Sequence, residues 1–523
     1  MQATQHPNTT SFSPSWVLLV LALPSLYFVT FFFLNTDFFL LECDRMGDYP
    51  ILALEIDKAG TFSSLVGSYS RHGFNHPGPF SLYYYALAER LLFFIESYYG
   101  RYALAQLALT WIFVVGTQAI FFRYLGAPLA ALSFAVMLLI FSAEGRTSFF
   151  ADIWGPAALP TAMLAFLAAS SALACAELKY FLLWALAFSV LASNHLGTWP
   201  VAGPIAAFVV ISALLNLKRM RREGKYNLDI YARLSLLGGA FIFFIAAAPP
   251  VLESLTQPNF GNLGKIFHFA LYRAQNKPFE AALKFLLSFY DLELGTFKVP
   301  GAFLLPAFVV FSLCVKLPRF GFAWNLRAVS LVSILLSLAS ALKIRGGLHS
   351  FILWHQYGAA VCLMVTAAYA ATKLISRGQA QHQFGKLSLL LSVTIAVISA
   401  LWSLQFKPPN SCRTVGAYHR AVTALKLDKS KLYILDDRKG RVGWPRYAIL
   451  ALALRRQGFH FCVLPRWEFM YGPTLTCHTL TRLPRWRGRI SALRLYDTAR
   501  SLIPKPPDAI DLGRCYLQEL PKP

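Results

Sequence analysis

Eleven apolar blocks, most of them about 18 residues or longer, dominate this chain. They lie near 16–36, 101–122, 127–143, 157–175, 179–193, 197–217, 230–252, 300–317, 325–342, 351–376 and 385–405. A helix of roughly 20 apolar residues crosses the hydrocarbon of a bilayer. Backbone polar groups in lipid have to be satisfied within the segment, so the blocks are predicted as helices rather than strands. Composition agrees: 56% of the 523 residues are hydrophobic and only 14% are charged, whereas a soluble domain carries about 25% charged residues. The predicted fold class is an all-α polytopic membrane protein with about eleven transmembrane helices and a small C-terminal α/β domain.

The stretch "MQATQHPNTTSFSPS" before the first block lacks the basic start and small-residue cleavage site of a secretory signal, so the first helix is expected to be retained. Three basic links, "LKRMRREGK" (217–225), "KLPRFGFAWNLR" (316–327) and "TKLISRGQAQHQFGK" (372–386), are predicted to share the cytoplasmic side. Eleven crossings then put the N-terminus inside and leave 37–100, 144–156, 194–196, 253–299, 343–350 and 406–523 outside. The chain therefore divides into a membrane domain, 1–405, with two long outer loops, and a basic extracytoplasmic domain, 406–523. The segment "FSLYYYALAERLLFFIESYY" (80–99) carries Glu89, Arg90 and Glu96. As a crossing it would invert every later loop, so an interfacial or re-entrant helix, or an extension of the next crossing, is expected.

The net charge is +24, and from Gln405 onward 22 Lys and Arg stand against 8 Asp and Glu. Such a tail suits anionic lipid headgroups. It contains no RNA- or DNA-binding motif, so nucleic acid is not an expected partner. Within it, "KLYILDD", "WPRYAILALALRRQG" and "FHFCVLP" read as strand, helix and strand, with Gly458 closing the helix and the strands parallel. No glycine-rich phosphate loop joins them. Of eight cysteines, Cys43, Cys412, Cys462, Cys477 and Cys515 fall outside; some of the last four are expected to pair in an oxidising compartment, with connectivity left open.

The candidate site follows the first helix. "GDYPILALEID" (47–57) gathers Asp48, Glu55 and Asp57, with Asp44 just before. Charged groups beside a bilayer are costly unless they face water or a partner. Asp48 and Glu55 are seven residues apart, on one face if this is a helix. "YSRHGFNHPGPFSLYYY" (69–85) comes next. Pro77 and Pro79 stiffen it, Gly78 allows close backbone approach, and Arg71, His72, Asn75 and His76 supply polar groups.

A first helix, an outer loop with an acidic residue and a rigid Pro-containing turn resemble the GT-C superfamily of membrane glycosyltransferases, which includes protein mannosyltransferases and lipid A aminoarabinose transferases. The pattern is closest to a bacterial branch of GT-C-like envelope proteins. "FADIWGPAALP" (150–160), "SNHLGTWP" (193–200) and "PPVLESLTQPNFGNLGKI" (249–266) fit that branch. The resemblance covers roughly 16–405 in architecture and is specific mainly in 47–85 and 249–266.

The resemblance implies an inner-membrane enzyme that moves a sugar from a polyprenyl-phosphate-linked donor to a glycan, lipid or protein acceptor on the outer face. Such transfer needs a base for the acceptor hydroxyl, worth about 10²–10⁴-fold, and cations for the departing phosphate. Asp48, Asp44 and Glu55 are the candidate catalytic residues. His72, Asn75, His76, Lys265, Arg273, Arg345 and His349 are the candidate substrate-binding residues. Arg345, beside Gly346 and Gly347, is the choice for bidentate phosphate contact. The superfamily often pairs two acids, but here Tyr49 follows Asp48. No cofactor is assigned, and a divalent metal is left open.

Two other classes are weighed against this. A lipid-linked glycan ligase or a flippase would be expected to show internal repeats and charges within its helices; here there is no clear repeat and the charges gather on outer loops. A structural membrane subunit would leave Asp48 and "NHPGP" unexplained.

Overall fold

The computed structural model describes residues 14–40, 46–142, 149–224, 228–294, 297–375, 381–404, 415–437, 442–486, 489–497, 508–512 and 515–520. Asp44, Cys43 and Cys412 lie outside the described residues. The chain forms two compact units. One comprises 1–35, 104–252 and 267–408; the other comprises 36–103, 253–266 and 409–523.

The first unit is helical. Each of the eleven expected segments coincides with an apolar helix, six of them long and apolar enough to cross a membrane and five shorter. The chain is a multi-pass membrane protein. Helix Leu159–Ala174 is buried along its whole length. It packs against Phe181–Asn194, Trp199–Arg222, Phe322–Ala341 and Gln356–Ile375. Gly358 brings the last of these close: a Cβ there would stand 2.3 Å from the Pro160 carbonyl oxygen, so only glycine fits. A short antiparallel hairpin, β1 (Leu292–Leu294) and β2 (Phe297–Val299), interrupts the helices.

The second unit joins three separate stretches of chain. From the N-terminal stretch come helices Thr36–Leu40, Tyr49–Gly60 and Phe80–Leu91. The last has 12 residues, about 18 Å at 1.5 Å per residue, too short to span the ~30 Å hydrocarbon. Its C-terminal side exposes Leu87, Leu91, Phe93 and Phe94.

The tail supplies a five-stranded mixed sheet. Its strands are β3 (Leu432–Leu435), β4 (His460–Val463), β5 (Ile490–Asp497), β6 (Ile510–Asp511) and β7 (Cys515–Leu520), in spatial order β4-β3-β5-β7-β6. β3 pairs parallel with β4 through helix Trp444–Arg456, as the expected strand–helix–strand order requires, and pairs parallel with β5 on its other side. Gly458 follows that helix at φ +78°, the left-handed conformation that ends it. β5, β6 and β7 then add antiparallel pairs. Asp436, fully buried at the end of β3, is ion-paired with Arg494 on β5. Cys462 and Cys477 form a disulfide, and Cys515 is a buried free thiol.

Candidate active site

Helix Tyr49–Gly60 opens with Pro50 in its first turn, a residue whose missing N–H costs nothing there. Asp48 sits at the N-cap, and its carbonyl accepts the Leu52 N–H at 2.9 Å. A carboxylate at this end meets the positive pole of the helix dipole. Ile51, Leu52, Ala53, Leu54 and Ile56 bury the helix, and Glu55 is buried among them at 8% exposure. Asp48 stays half-exposed.

The stretch after the helix doubles back on itself. Gly67 N–H donates to the His76 carbonyl at 2.9 Å, His76 N–H to Ser68 at 2.8 Å, and Ser70 N–H to Phe74 at 2.9 Å. A Cβ on Gly67 would lie 2.6 Å from the Gly78 carbonyl oxygen, so the close approach requires glycine. The Asn75 side-chain amide donates to the Gly67 carbonyl at 3.1 Å.

This fold-back delivers Tyr69 to both acids. Its hydroxyl donates to Asp48 Oδ1 at 2.5 Å, and its backbone N–H donates to Glu55 Oε1 at 3.1 Å. One residue thus bridges the two acids, Asp48 at the N-cap and Glu55 within the helix. Burial pushes the Glu55 carboxyl up to about 7, and Asp48 adds to this, against the lowering effect of the Ser68 hydroxyl, Lys58 and the Tyr69 N–H. Burial likewise lowers Lys58, whose Nζ donates to the Tyr471 carbonyl of the tail at 2.9 Å. The Tyr69 ring meets Phe469 edge-on at 5.9 Å, and the Arg71 guanidinium lies 6.0 Å from the Trp444 ring centre.

Asp57, on the same helix, belongs to a different cluster. Burial raises it to about 6, with Glu89 adding to the rise and Arg456 and Arg455 opposing it. Arg456 stacks over Tyr98 at 3.9 Å, and Tyr102 donates to Glu89 at 2.5 Å.

The third stretch of this unit reaches the same fold-back. Asn262 Oδ1 accepts the Asn75 N–H at 2.7 Å, and its Nδ2 donates to the Asn75 carbonyl at 2.9 Å. Glu253 holds the Asn262 N–H with both carboxylate oxygens at 3.0 Å. Between them Asn259, Phe260 and Gly261 all take positive φ, at 54°, 59° and 52°. Non-glycine residues at such angles store strain that surrounding contacts have to hold. Lys265 is exposed one turn beyond Asn262.

The other expected cations lie in the helical unit. The segment carrying Arg273 is tied to the segment carrying Arg345: Lys277 N–H donates to the Leu342 carbonyl, Lys277 Nζ to the Gly346 carbonyl, and Gly346 N–H to Gln275 Oε1. Arg345 is half-buried and His349 exposed. At Gly346 nothing lies within 4 Å of where a Cβ would stand. Beside Gly347 a Cβ would meet the His349 ring at 2.9 Å, and that ring stacks on Phe351. The stretches 150–160 and 193–200 also meet, since a Cβ on Gly155 would stand 3.0 Å from the Asn194 carbonyl oxygen. Asp152, nearly buried there, accepts the Trp154 N–H.

Tyr69, Lys58, Glu253 and Asn262 carry this arrangement, and none was singled out from the sequence. Their partners lie from 9 to 413 residues away in sequence, and no spacing announces them. Among the described residues no three His, Cys, Asp or Glu side chains converge as a metal site.

No family model matches the sequence, and no curated protein matches it. The three-dimensional comparison does find similar structures. The crystal structure of ArnT from Cupriavidus metallidurans bound to undecaprenyl phosphate superposes with a TM-score of 0.55 at 12% identity, covering 97% of this chain and 98% of that one. The apo structure of the same protein gives 0.54 at 13% identity, with the same coverage. The chain shares the fold of these two structures. The likeness covers 97% of this chain, and so takes in the tail that the sequence resemblance did not reach.

Proposed function

We propose that this chain is an integral-membrane glycosyltransferase of the GT-C type, taking a sugar from a polyprenyl-phosphate-linked donor to a glycan, lipid or protein acceptor on the outer face of a bacterial inner membrane. The observation that carries the reading is the Tyr69-bridged pair of acids on a fold that ArnT, solved with undecaprenyl phosphate, shares.

The step follows from the side chains. The acceptor hydroxyl oxygen attacks the sugar's anomeric carbon while its proton passes to Asp48. The C–O bond to phosphate breaks, and the electron pair leaves with the lipid phosphate. A phosphate is a good leaving group and needs no proton, so one base suffices for inversion. Asp48 is the more accessible acid and takes this role. Glu55, buried beside it, shapes the field at the site. Arg345 is assigned to the phosphate charge that grows in the transition state, where a cation raises the rate most. Lys265 and Arg273 hold the donor headgroup, and His72, Asn75, His76 and His349 contribute polar contacts to substrate.

The disulfide in the tail supports an oxidising compartment for that domain, and the basic links support the opposite side as cytoplasmic. The test is product analysis. Purified protein in vesicles, given an undecaprenyl-phosphate-linked sugar and envelope extract, should release free undecaprenyl phosphate in step with sugar transferred. Movement of the intact lipid-linked sugar across the vesicle membrane, without release, would instead identify a flippase.

A further inference from the structure

We infer that Tyr69 is a positioning residue for the proposed sugar transfer: its hydroxyl fixes the rotamer of Asp48 while its backbone N–H fixes Glu55. The inference rests on the reading of Asp48 as the base, and it assigns a role that neither acid could fill for itself.

A carboxylate at a helix N-cap commonly turns inward to accept a backbone N–H of the first turn. Asp48 makes no such cap bond. Its Oδ1 is held by the phenol of Tyr69 at 2.5 Å. One oxygen is thereby committed, and Oδ2 is presented for the acceptor proton. A hydrogen bond from a neutral donor to a carboxylate is of the stronger kind. It persists only while the phenol keeps its proton. Burial and the adjacent Asp48 both hold the Tyr69 hydroxyl well above its ordinary range, Glu55 adding and Arg71 opposing. Tyr69 therefore remains a donor at neutral pH.

The backbone of the same residue serves the second acid. Tyr69 N–H reaches Glu55 Oε1 at 3.1 Å because the 67–76 fold-back runs antiparallel through the Tyr69–Asn75 bridge. The tail then fixes the ring through its edge contact with Phe469 and the helix through Lys58 and Tyr471. The two acids cannot shift independently while Tyr69 is in place.

The experiment uses the full-length protein in nanodiscs with an undecaprenyl-phosphate-linked sugar. Tyr69→Phe keeps the ring, the Phe469 contact and the N–H to Glu55, and removes only the bond to Asp48. The expected result is a fall in kcat of about 10- to 100-fold, the worth of one charge-assisted hydrogen bond. The donor KM and the thermal midpoint should stay near wild type. Phe469→Ala, which loosens the ring but leaves the hydroxyl, should give a smaller fall in the same parameter. Wild-type kcat in Tyr69→Phe, with Asp48→Asn inactive, overturns this inference and leaves the function standing. So does a loss in which kcat, KM and midpoint all move together, the mark of a merely structural residue. An active Asp48→Asn overturns the reading beneath it instead.

Discussion

Asn262 pairs with the backbone of Asn75 through both ends of its side-chain amide, accepting the N–H at 2.7 Å and donating to the carbonyl at 2.9 Å across 187 residues of sequence. A side chain here substitutes for a strand, and it anchors the loop that carries Lys265 to the fold-back that carries His76. Asn262→Ala should lose about 1 kcal/mol per hydrogen bond. We expect a lowered thermal midpoint and a donor KM raised about 10-fold, with kcat little changed. A donor titration of the variant checks this.

Glu55 predicts a pH-dependent stability. Its carboxyl titrates near 4.5 when unfolded and about 7 when folded. Below 4.5 both states are protonated and the group contributes nothing. Between 4.5 and 7 the unfolded chain gives up its proton first, so folded stability falls as pH rises. Above 7 the full penalty is present, on the order of 3 kcal/mol. Glu55→Gln removes it. Thermal melts in detergent should show the variant level with wild type near pH 4.5 and more stable at pH 8. Equal differences at the two pH values would show that Glu55 is not held against ionisation.

The cations divide by role. Arg345→Ala should lower kcat by about 10²-fold, the scale for losing one group that meets charge in a transition state. Lys265→Ala and Arg273→Ala should raise donor KM and leave kcat within a few-fold. Steady-state kinetics with a varied lipid-phosphate sugar separates these outcomes.

Cys462 and Cys477 close a loop with a sequence separation of 15. A cross-link of that span stabilises by about 3 kcal/mol in the chain-entropy account. Cys477→Ser should lower the melting midpoint of the purified protein. On intact cells, an impermeant thiol reagent should label the tail cysteines after reductant, and labelling only after permeabilisation would reverse the proposed topology.

The helices were legible because lipid imposes a length and a composition on each crossing, and every one of the eleven expected segments coincides with an apolar helix. The parallel half of the tail sheet was legible from "KLYILDD" and "FHFCVLP", apolar runs flanking a periodic helix. β5, β6 and β7 were not: β5 joins β3 in parallel beside the buried Asp436–Arg494 ion pair, and β7 and β6 follow antiparallel, pairings that no local pattern encodes. At the site, Asp48 and Glu55 stood out as charges beside a membrane helix. Tyr69 did not, since a tyrosine among aromatics looks like packing until its hydroxyl is seen on a carboxylate. Asn262 and Tyr471 act across 187 and 413 residues of sequence, by contacts that only the fold creates.

The central claim is that Asp48 takes the acceptor's proton. The most direct measurement is turnover by Asp48→Asn, reconstituted with an undecaprenyl-phosphate-linked sugar and envelope acceptor, beside wild type and Asp44→Asn. The asparagine keeps the shape of the side chain and cannot accept a proton. The account predicts a loss of about 10²–10⁴-fold in kcat with an unaltered melting midpoint, and a smaller loss for Asp44→Asn. Transfer at the wild-type rate by a folded Asp48→Asn protein would contradict it.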